Sequence, residues 1–302
     1  MKFTVFSDFH HVPGVFMHGG YEDLDVILEA SERENVDFII HAGDLTHGPA
    51  DHMDFVGKYT NFHIPTYSCL GNHDTDNTPL DRTLELYKMV GGYYYFDNGG
   101  YRIIVLDPNY CKIGDTYVHF DMCNYLETPD ARYWVPPEQL EWLKDAIDTA
   151  PGPCIVIAHE SFEREVDGVQ NMYEVRKIFN AANKKKPHSV LMVMNGHNHR
   201  DFVRVLDGIL YFEVNSSNYE WVINAHECFP KELMEKYSAL KNCVTYTAPV
   251  YGIIKVEGTT ITCKGTESEF FMGVKREDTG NPKCDLAGRE STPTVQSFKI
   301  TL

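Results

Sequence analysis

Short runs of Val, Ile, Leu and aromatic residues punctuate the first two-thirds of this chain, and longer amphipathic stretches separate them. The runs cover residues 3–6, 37–41, 66–70, 101–106, 154–158 and 189–194. Runs of this length and composition read as strands buried on both faces. The intervening stretches 21–34, 79–90, 138–149 and 172–185 carry apolar residues at helical spacing. In the third of these, Leu140, Leu143 and Ile147 share one stripe behind Pro136-Pro137. Strand and helix in alternation fold as a layered α/β architecture. After Gly208 the pattern changes: residues 209–214, 252–256, 260–264 and 298–302 read as strands, with a short helix within 231–240. No Gly/Ser/Pro-rich linker and no internal repeat interrupts the chain, so residues 1–302 are expected to form a single domain.

Composition narrows the partners. Lys and Arg number 27 against 44 Asp and Glu, a formal charge of −17. Such an excess repels polyphosphates at long range and argues against an extended nucleic-acid groove. A small phosphorylated substrate is still allowed, because bound cations reverse the field inside one pocket. No apolar run reaches the roughly 18 residues of a membrane span, so no membrane partner is expected. The chain starts directly with a strand-like run and no cleavage motif, and its eight cysteines form no Cys-x-x-Cys pair. The expected state is reduced thiols in the cytoplasm.

Five polar segments directly follow apolar runs: Asp8-Phe9-His10, Gly43-Asp44, Gly71-Asn72-His73-Asp74, His159, and Gly196-His197-Asn198-His199. Their placement puts them at the C-terminal ends of strands, the edge where ligand crevices of open α/β sheets form. The glycines at 43, 71 and 196 suit sharp turns with positive φ. Carboxylates, imidazoles and an amide without thiolate suit manganese, iron, zinc or a similar divalent ion better than a structural zinc. Two such ions need a shared ligand, and Asp44 is the bridging candidate. Each segment alone is commonplace; the five in order, each at a strand end, are not. His159-Glu160 does not continue as a zinc-protease motif, because position 163 is Glu.

This string resembles the calcineurin-like metallophosphoesterases, whose pattern is Asp-x-His, Gly-Asp, Gly-Asn-His-(Asp/Glu), a lone His and Gly-His-x-His. The resemblance implies a four-layer αββα sandwich of two mixed β-sheets flanked by helices, with a dinuclear metal centre at one end. It places the motifs within residues 1–216 and lets residues 217–302 supply an accessory helix and strands completing the second sheet. By motif position, one divalent ion would be held by Asp8, His10, Asp44 and His199. The other would be held by Asp44, Asn72, His159 and His197. His73 matches the general acid, with Asp74 orienting its ring. Two cations lower the pKa of a water between them and withdraw charge from phosphate oxygens, so a hydroxide attack in line with the leaving group is expected. His73 would protonate the departing oxygen.

Departures from family subtypes narrow the class. His47 stands where purple acid phosphatases have their tyrosine, and Gly43-Asp-Leu-Thr-His-Gly48 lacks the arginine of Ser/Thr protein phosphatases. The expected substrate is a small phosphodiester or phosphomonoester, with nucleotides and cyclic nucleotides in view. The alternatives are a non-catalytic metal-binding scaffold of the same fold and, less favoured by the charge, a nuclease. Residues 109–137, without an obvious element, and 215–248 carry aromatics that either line the pocket or cover the core. His11 and His47 adjoin motif residues and are candidates to support ligands. Glu160, where relatives often have Pro, has no role in this reading.

Overall fold

A computed structural model describes residues 1–282 and 289–302 of the chain. The apolar runs become strands within a residue or two of their expected limits. In chain order come β1 (Lys2–Phe6), α1 (Tyr21–Arg33), β2 (Phe38–His41), α2 (Met53–Thr60), β3 (Thr66–Ser68) and α3 (Leu80–Leu86). Next are β4 (Tyr94–Asn98), β5 (Tyr101–Val105), β6 (Tyr110–Ile113), β7 (Thr116–His119), α4 (Pro137–Asp148), β8 (Cys154–Ile157) and α5 (Met172–Lys185). Then follow β9 (Val190–Asn195), β10 (Phe202–Leu206), β11 (Ile209–Glu213), β12 (Tyr219–Trp221), α6 (Ala225–Cys228) and α7 (Lys231–Lys236). The chain closes with β13 (Cys243–Thr245), β14 (Gly252–Glu257), β15 (Thr260–Gly265) and β16 (Phe298–Thr301).

Two mixed six-stranded sheets result, in the orders β16-β15-β14-β1-β2-β3 and β10-β11-β9-β8-β5-β4. The period of two in each strand explains why they stack. Phe3, Val5, Phe38 and Ile40 point inward to meet Ile103, Val105, Ile155, Ile157 and Met194 from the other sheet. The alternate residues face outward. Phe6 and Ile39 pack under Leu24, Ile27, Phe55 and Tyr59 of α1 and α2. On the far side, Ile104, Val156 and Val193 meet Leu143 of α4 and Val175 and Phe179 of α5. Helices outside two facing sheets give the expected four layers.

One expectation is corrected. The C-terminal strands do not complete the second sheet: β14 pairs antiparallel with β1, and β15 and β16 continue outward from it. The second sheet is built from β4, β5 and β8 to β11 alone. β1 has one free edge once β2 occupies the other, and β14 suits it, with Ile254 and Val256 facing the core between the sheets and Lys255 and Glu257 exposed on the opposite face. A second difference lies in residues 109–137, where a hairpin of β6 and β7 turns at Gly114, which has φ +62°. The seven described cysteines are free thiols, and Cys284 lies outside the described residues. Among the described residues no helix is long and apolar enough to cross a membrane.

Candidate metal centre

β1, β2 and β3 run parallel, as do β5, β8, β9 and β11, so their C-terminal ends gather at common edges. The loops leaving β1, β2, β3, β8 and β9 bring all five polar segments together. Beyond the strands, the first two loops stay in register: the Asp8 N–H donates to Gly43 O at 3.0 Å and the His10 N–H to Asp44 O at 3.0 Å. The backbone there is unusual for L-residues. Asp8, His10, Asp44, His197 and His199 all have positive φ, between 50° and 69°. Each such residue costs on the order of 1 kcal/mol or more, and their concentration here marks a functional rather than a folding demand.

The three motif glycines serve mainly by having no side chain. A Cβ on Gly43 would lie 2.2 Å from His159 Nδ1, one on Gly71 2.2 Å from Asp44 Oδ1, and one on Gly196 1.8 Å from Ser7 Oγ. Only Gly43 also has positive φ, at 100°. The expected turn chemistry therefore holds at position 43, whereas Gly71 and Gly196 let neighbouring loops close up.

The donor atoms sort into overlapping groups within 4.8 Å of one another: Asp8, His10 and His199; His159, Glu160 and His197; and Asp8, Asp44 and His159. Asp44 Oδ2 lies 3.6 Å from His10 Nε2 and 3.2 Å from His159 Nε2, between the first two groups. Asp8 Oδ1 lies 3.1 Å from His199 Nε2. The opposite atoms of these side chains are already held. Asp8 Oδ2 accepts from Ser7 Oγ (2.6 Å) and the His197 N–H (3.0 Å), Asp44 Oδ1 accepts from the His73 N–H (2.8 Å), and His159 Nδ1 meets Ala42 O at 2.7 Å. Among the atoms that stay buried without a hydrogen-bond partner among the described residues are Asp8 Oδ1, His10 Nε2, Asn72 Oδ1 and His159 Nε2. Buried polar atoms are rarely left so, and four converging lone-pair donors are what a cation requires. The set of carboxylates, imidazoles and one amide fits a dinuclear divalent centre.

Electrostatics agree. Burial opposes ionisation of Asp8 and Asp44, but nearby imidazoles outweigh it: His199 and His159 for Asp8, His159 and His73 for Asp44. Both carboxyls fall below the ordinary range. Burial pushes His10 down and His197 down to about 3, so both rings are neutral and carry a lone pair. Burial also works against a proton on His159, yet Asp44 and Asp8 raise it. The carboxylates that draw a proton there would draw a cation. Glu160 is pushed up to about 8, by burial first.

His73 borders this centre, its ring partly exposed. Its partner is not the expected one. Asp74 has both oxygens occupied elsewhere: Oδ1 accepts from the Leu45 and Thr46 N–H groups and the Tyr87 hydroxyl, Oδ2 from the Asp44 and Gly71 N–H groups. It ties the β2 and β3 loops together. The carboxylate that meets His73 Nδ1, at 2.7 Å, is Asp76, which in turn accepts from Tyr125 Oη at 2.8 Å. Burial opposes protonation of His73, but Asp44 and Asp76 outweigh it and raise its pKa. His47 stacks on the His73 ring with centroids 4.5 Å apart and places Nε2 2.7 Å from His10 Nδ1.

The surrounding aromatic and histidine rings divide. Tyr219 lies against His199 and His10 (centroids 4.7 and 5.2 Å), and Tyr133 against His197 (5.0 Å). Trp221, 44% exposed, lies nearly parallel to His199. His11 turns away, bonding Gly19 O and stacking on Phe55, and His226 is exposed on α6. Sequence reasoning missed Asp76, which had a signal in the i,i+3 spacing from His73 in a turn. Tyr125 was expected only as one of the aromatics of residues 109–137, and nothing in the sequence marks its bond to Asp76.

The family model for calcineurin-like phosphoesterases matches residues 1–201. Among solved structures, a dimetal phosphatase from Danio rerio is similar at a TM-score of 0.61 and 12% identity, with 91% of this chain and 99% of that one covered. GAP50, described as the anchor in the inner membrane complex of Plasmodium, is similar at 0.53 and 14% identity, with 91% and 86% covered. PhoD is similar at 0.52 and 13% identity, with 100% and 68% covered. These likenesses are of fold. No curated protein matches the chain in sequence.

Proposed function

The chain belongs to the calcineurin-like phosphoesterase family, and from that premise we propose that it is a dinuclear metal-dependent hydrolase of a small phosphodiester or phosphomonoester. The observation that carries this reading is the set of buried donor atoms, partnerless among the described residues, that loops distant in sequence point at one another. Asp8, His10, Asp44 and His199 would hold one divalent ion, and Asp44, Asn72, His159 and His197 the other. Manganese, iron and zinc all suit such donors. When bound, the pair of ions supplies an acidified water and neutralises charge on the phosphate.

The chain's own residues do the rest. His73 donates a proton to the leaving oxygen, and Asp76 keeps Nδ1 protonated and turned so that Nε2 is available to the substrate. Tyr125 holds Asp76 in place, so residues 109–137 contribute a buttress to the acid as well as wall. Asp44 is fixed at Oδ1 by the His73 N–H, which leaves Oδ2 to be shared. Trp221, exposed beside His199, offers a flat apolar surface suited to a nucleotide or cyclic nucleotide, while Tyr133 and Tyr219 are buried against the candidate ligand histidines. We read residues 1–302 as one such domain acting in the cytoplasm, with no extended nucleic-acid partner.

The test is turnover of aryl phosphodiesters, aryl monoesters, nucleotides and cyclic nucleotides by protein loaded with Mn²⁺. His73→Ala should lower kcat by about 10²- to 10⁴-fold for an alkoxide leaving group. The loss should be much smaller for p-nitrophenolate, which needs no proton. Protein holding two ions that cleaves nothing in the panel would instead be a scaffold.

A further inference from the structure

The loop after β8 carries a carboxylate that the ligand set above leaves unused. Glu160 has 0% exposure, and neither of its oxygens has a hydrogen-bond partner among the described residues. A buried carboxyl without partners is costly to keep, whether it ionises or holds its proton. One of its oxygens lies within 4.8 Å of donor nitrogens of both His159 and His197. Apart from that, the two half-sites differ in charge. Asp8, His10 and His199 form a carboxylate and two imidazoles on one side of the shared Asp44. His159 and His197 on the other side have two imidazoles and the amide of Asn72, but no carboxylate of their own.

We propose that Glu160 is a direct oxygen ligand of the ion held by His159 and His197. This rests on the dinuclear reading and deepens it. Each ion then has one carboxylate of its own, two histidines and a share of Asp44. The added anionic oxygen tightens the second ion and favours oxygen-seeking manganese or iron there over zinc.

The experiment is calorimetric titration of chelator-stripped protein with Mn²⁺, with bound metal counted after gel filtration. Wild type binds two ions. Glu160→Gln, matched in shape, should weaken one of them by about ten- to a hundredfold and leave the other unchanged. Glu160→Asp, which keeps the charge on a shorter stem, should recover part of that loss. Metal-free Glu160→Gln should melt no lower than metal-free wild type, because the amide replaces a carboxyl that has no hydrogen-bond partner to lose and that burial already disfavours as a charge. A Glu160→Gln protein that binds both ions with wild-type affinity overturns the assignment, as does one whose metal-free form melts well below wild type. Wild type that binds fewer than two ions overturns the dinuclear reading itself.

Discussion

Glu160 and Glu163 leave the same loop and enter opposite surroundings. Glu160 turns into the crevice and has no partner on either oxygen among the described residues. Glu163 turns toward β10 and β11, where Arg204 and Arg289 grip it, the latter at 2.6 Å. Arg289 also bonds Glu213 Oε2 at 2.8 Å through Nε, while Arg164 approaches Glu213 Oε1 at 3.6 Å. Buried carboxylates are thus paired with arginines in one region and left without a cationic partner in the other. The paired cluster joins three distant stretches, residues 163–164, 204–213 and 289, and its task is to hold the chain. The open cluster also carries the concentration of positive-φ residues, and it is stable only because the two sheets beneath it bury so much apolar surface. Unmet valence is the signature of a ligand site, and strain is what the rest of the fold tolerates to keep it.

Asp44 offers the sharpest way to break this comparison. Asp44→Asn keeps the shape and the bond to the His73 N–H but removes the shared charge. Metal-dependent turnover should fall by about 10³-fold. The melting temperature of the metal-free protein should fall only modestly, because Asp8 still faces His159 once the Asp44 charge is gone. A large loss of metal-free stability with turnover retained would erase the distinction between the two regions.

Arg289→Ala should give the reverse. It takes one arginine from each of two buried carboxylates, leaving Arg204 on Glu163 and Arg164 near Glu213, a change that costs about 1.5–3 kcal/mol of stability. The protein that stays folded should bind metal and turn over as wild type does, since Arg289 contacts no candidate ligand in the bonds described. Denaturant unfolding beside single-turnover kinetics separates the two effects.

The extent to which the sequence disclosed these regions follows from locality. The crevice was legible because each candidate ligand sits just past a strand that its own apolar run defines, as with Phe3 to Phe6 before Asp8 or Val190 to Met194 before His197. The network around Arg289 was not, because nothing near Glu163 or Arg289 in sequence marks the other. The return of β14 to β1 is likewise a pairing across most of the chain. Hairpin β6–β7 was missed because Tyr110, Lys112, Thr116 and His119 give it no apolar run, only a partly exposed ribbon. Asp74 was misassigned to His73 because adjacency in a motif says nothing about direction: at a tight turn Asp74 points inward to loop N–H groups and Asp76 outward to the ring.

Close approach can be tested separately from charge. Gly196→Ala would put a Cβ 1.8 Å from Ser7 Oγ and 2.6 Å from Asp8 Oδ2. The expected cost is about 1–3 kcal/mol of stability, with metal affinity falling as Asp8 is displaced. Gly208→Ala is the contrast: nothing lies within 4 Å of its Cβ, and only its φ of +75° is strained. It should lose about 1 kcal/mol and leave metal affinity unchanged. Equal loss of affinity in both would show that the crevice responds to global stability rather than to local room.

The smallest expected effect concerns a carboxylate midway between the extremes. Asp107, buried at the end of β5, has one titratable partner, His119 Nε2 at 2.7 Å, and this bond pins the β6–β7 hairpin. His119 Nδ1 faces Phe120 O, so both ring nitrogens meet acceptors and both must donate: the ring is an imidazolium. Burial opposes charge on each partner, but each outweighs it in the other, raising His119 and lowering Asp107. A raised His contributes stability below its unfolded pKa and loses it as pH rises through the folded value. A lowered Asp contributes above its unfolded pKa and loses it as pH falls through the depressed value. The anchor is therefore strongest between about pH 4 and 6.5 and weakens on either side. Hydrogen exchange of residues 110–119 should accelerate above its intrinsic pH dependence on the alkaline side, and His119→Gln should remove that limb. Protection that ignores pH in the wild type would mean the hairpin is held by its ladder alone, and that Asp107 belongs with neither the paired nor the open carboxylates.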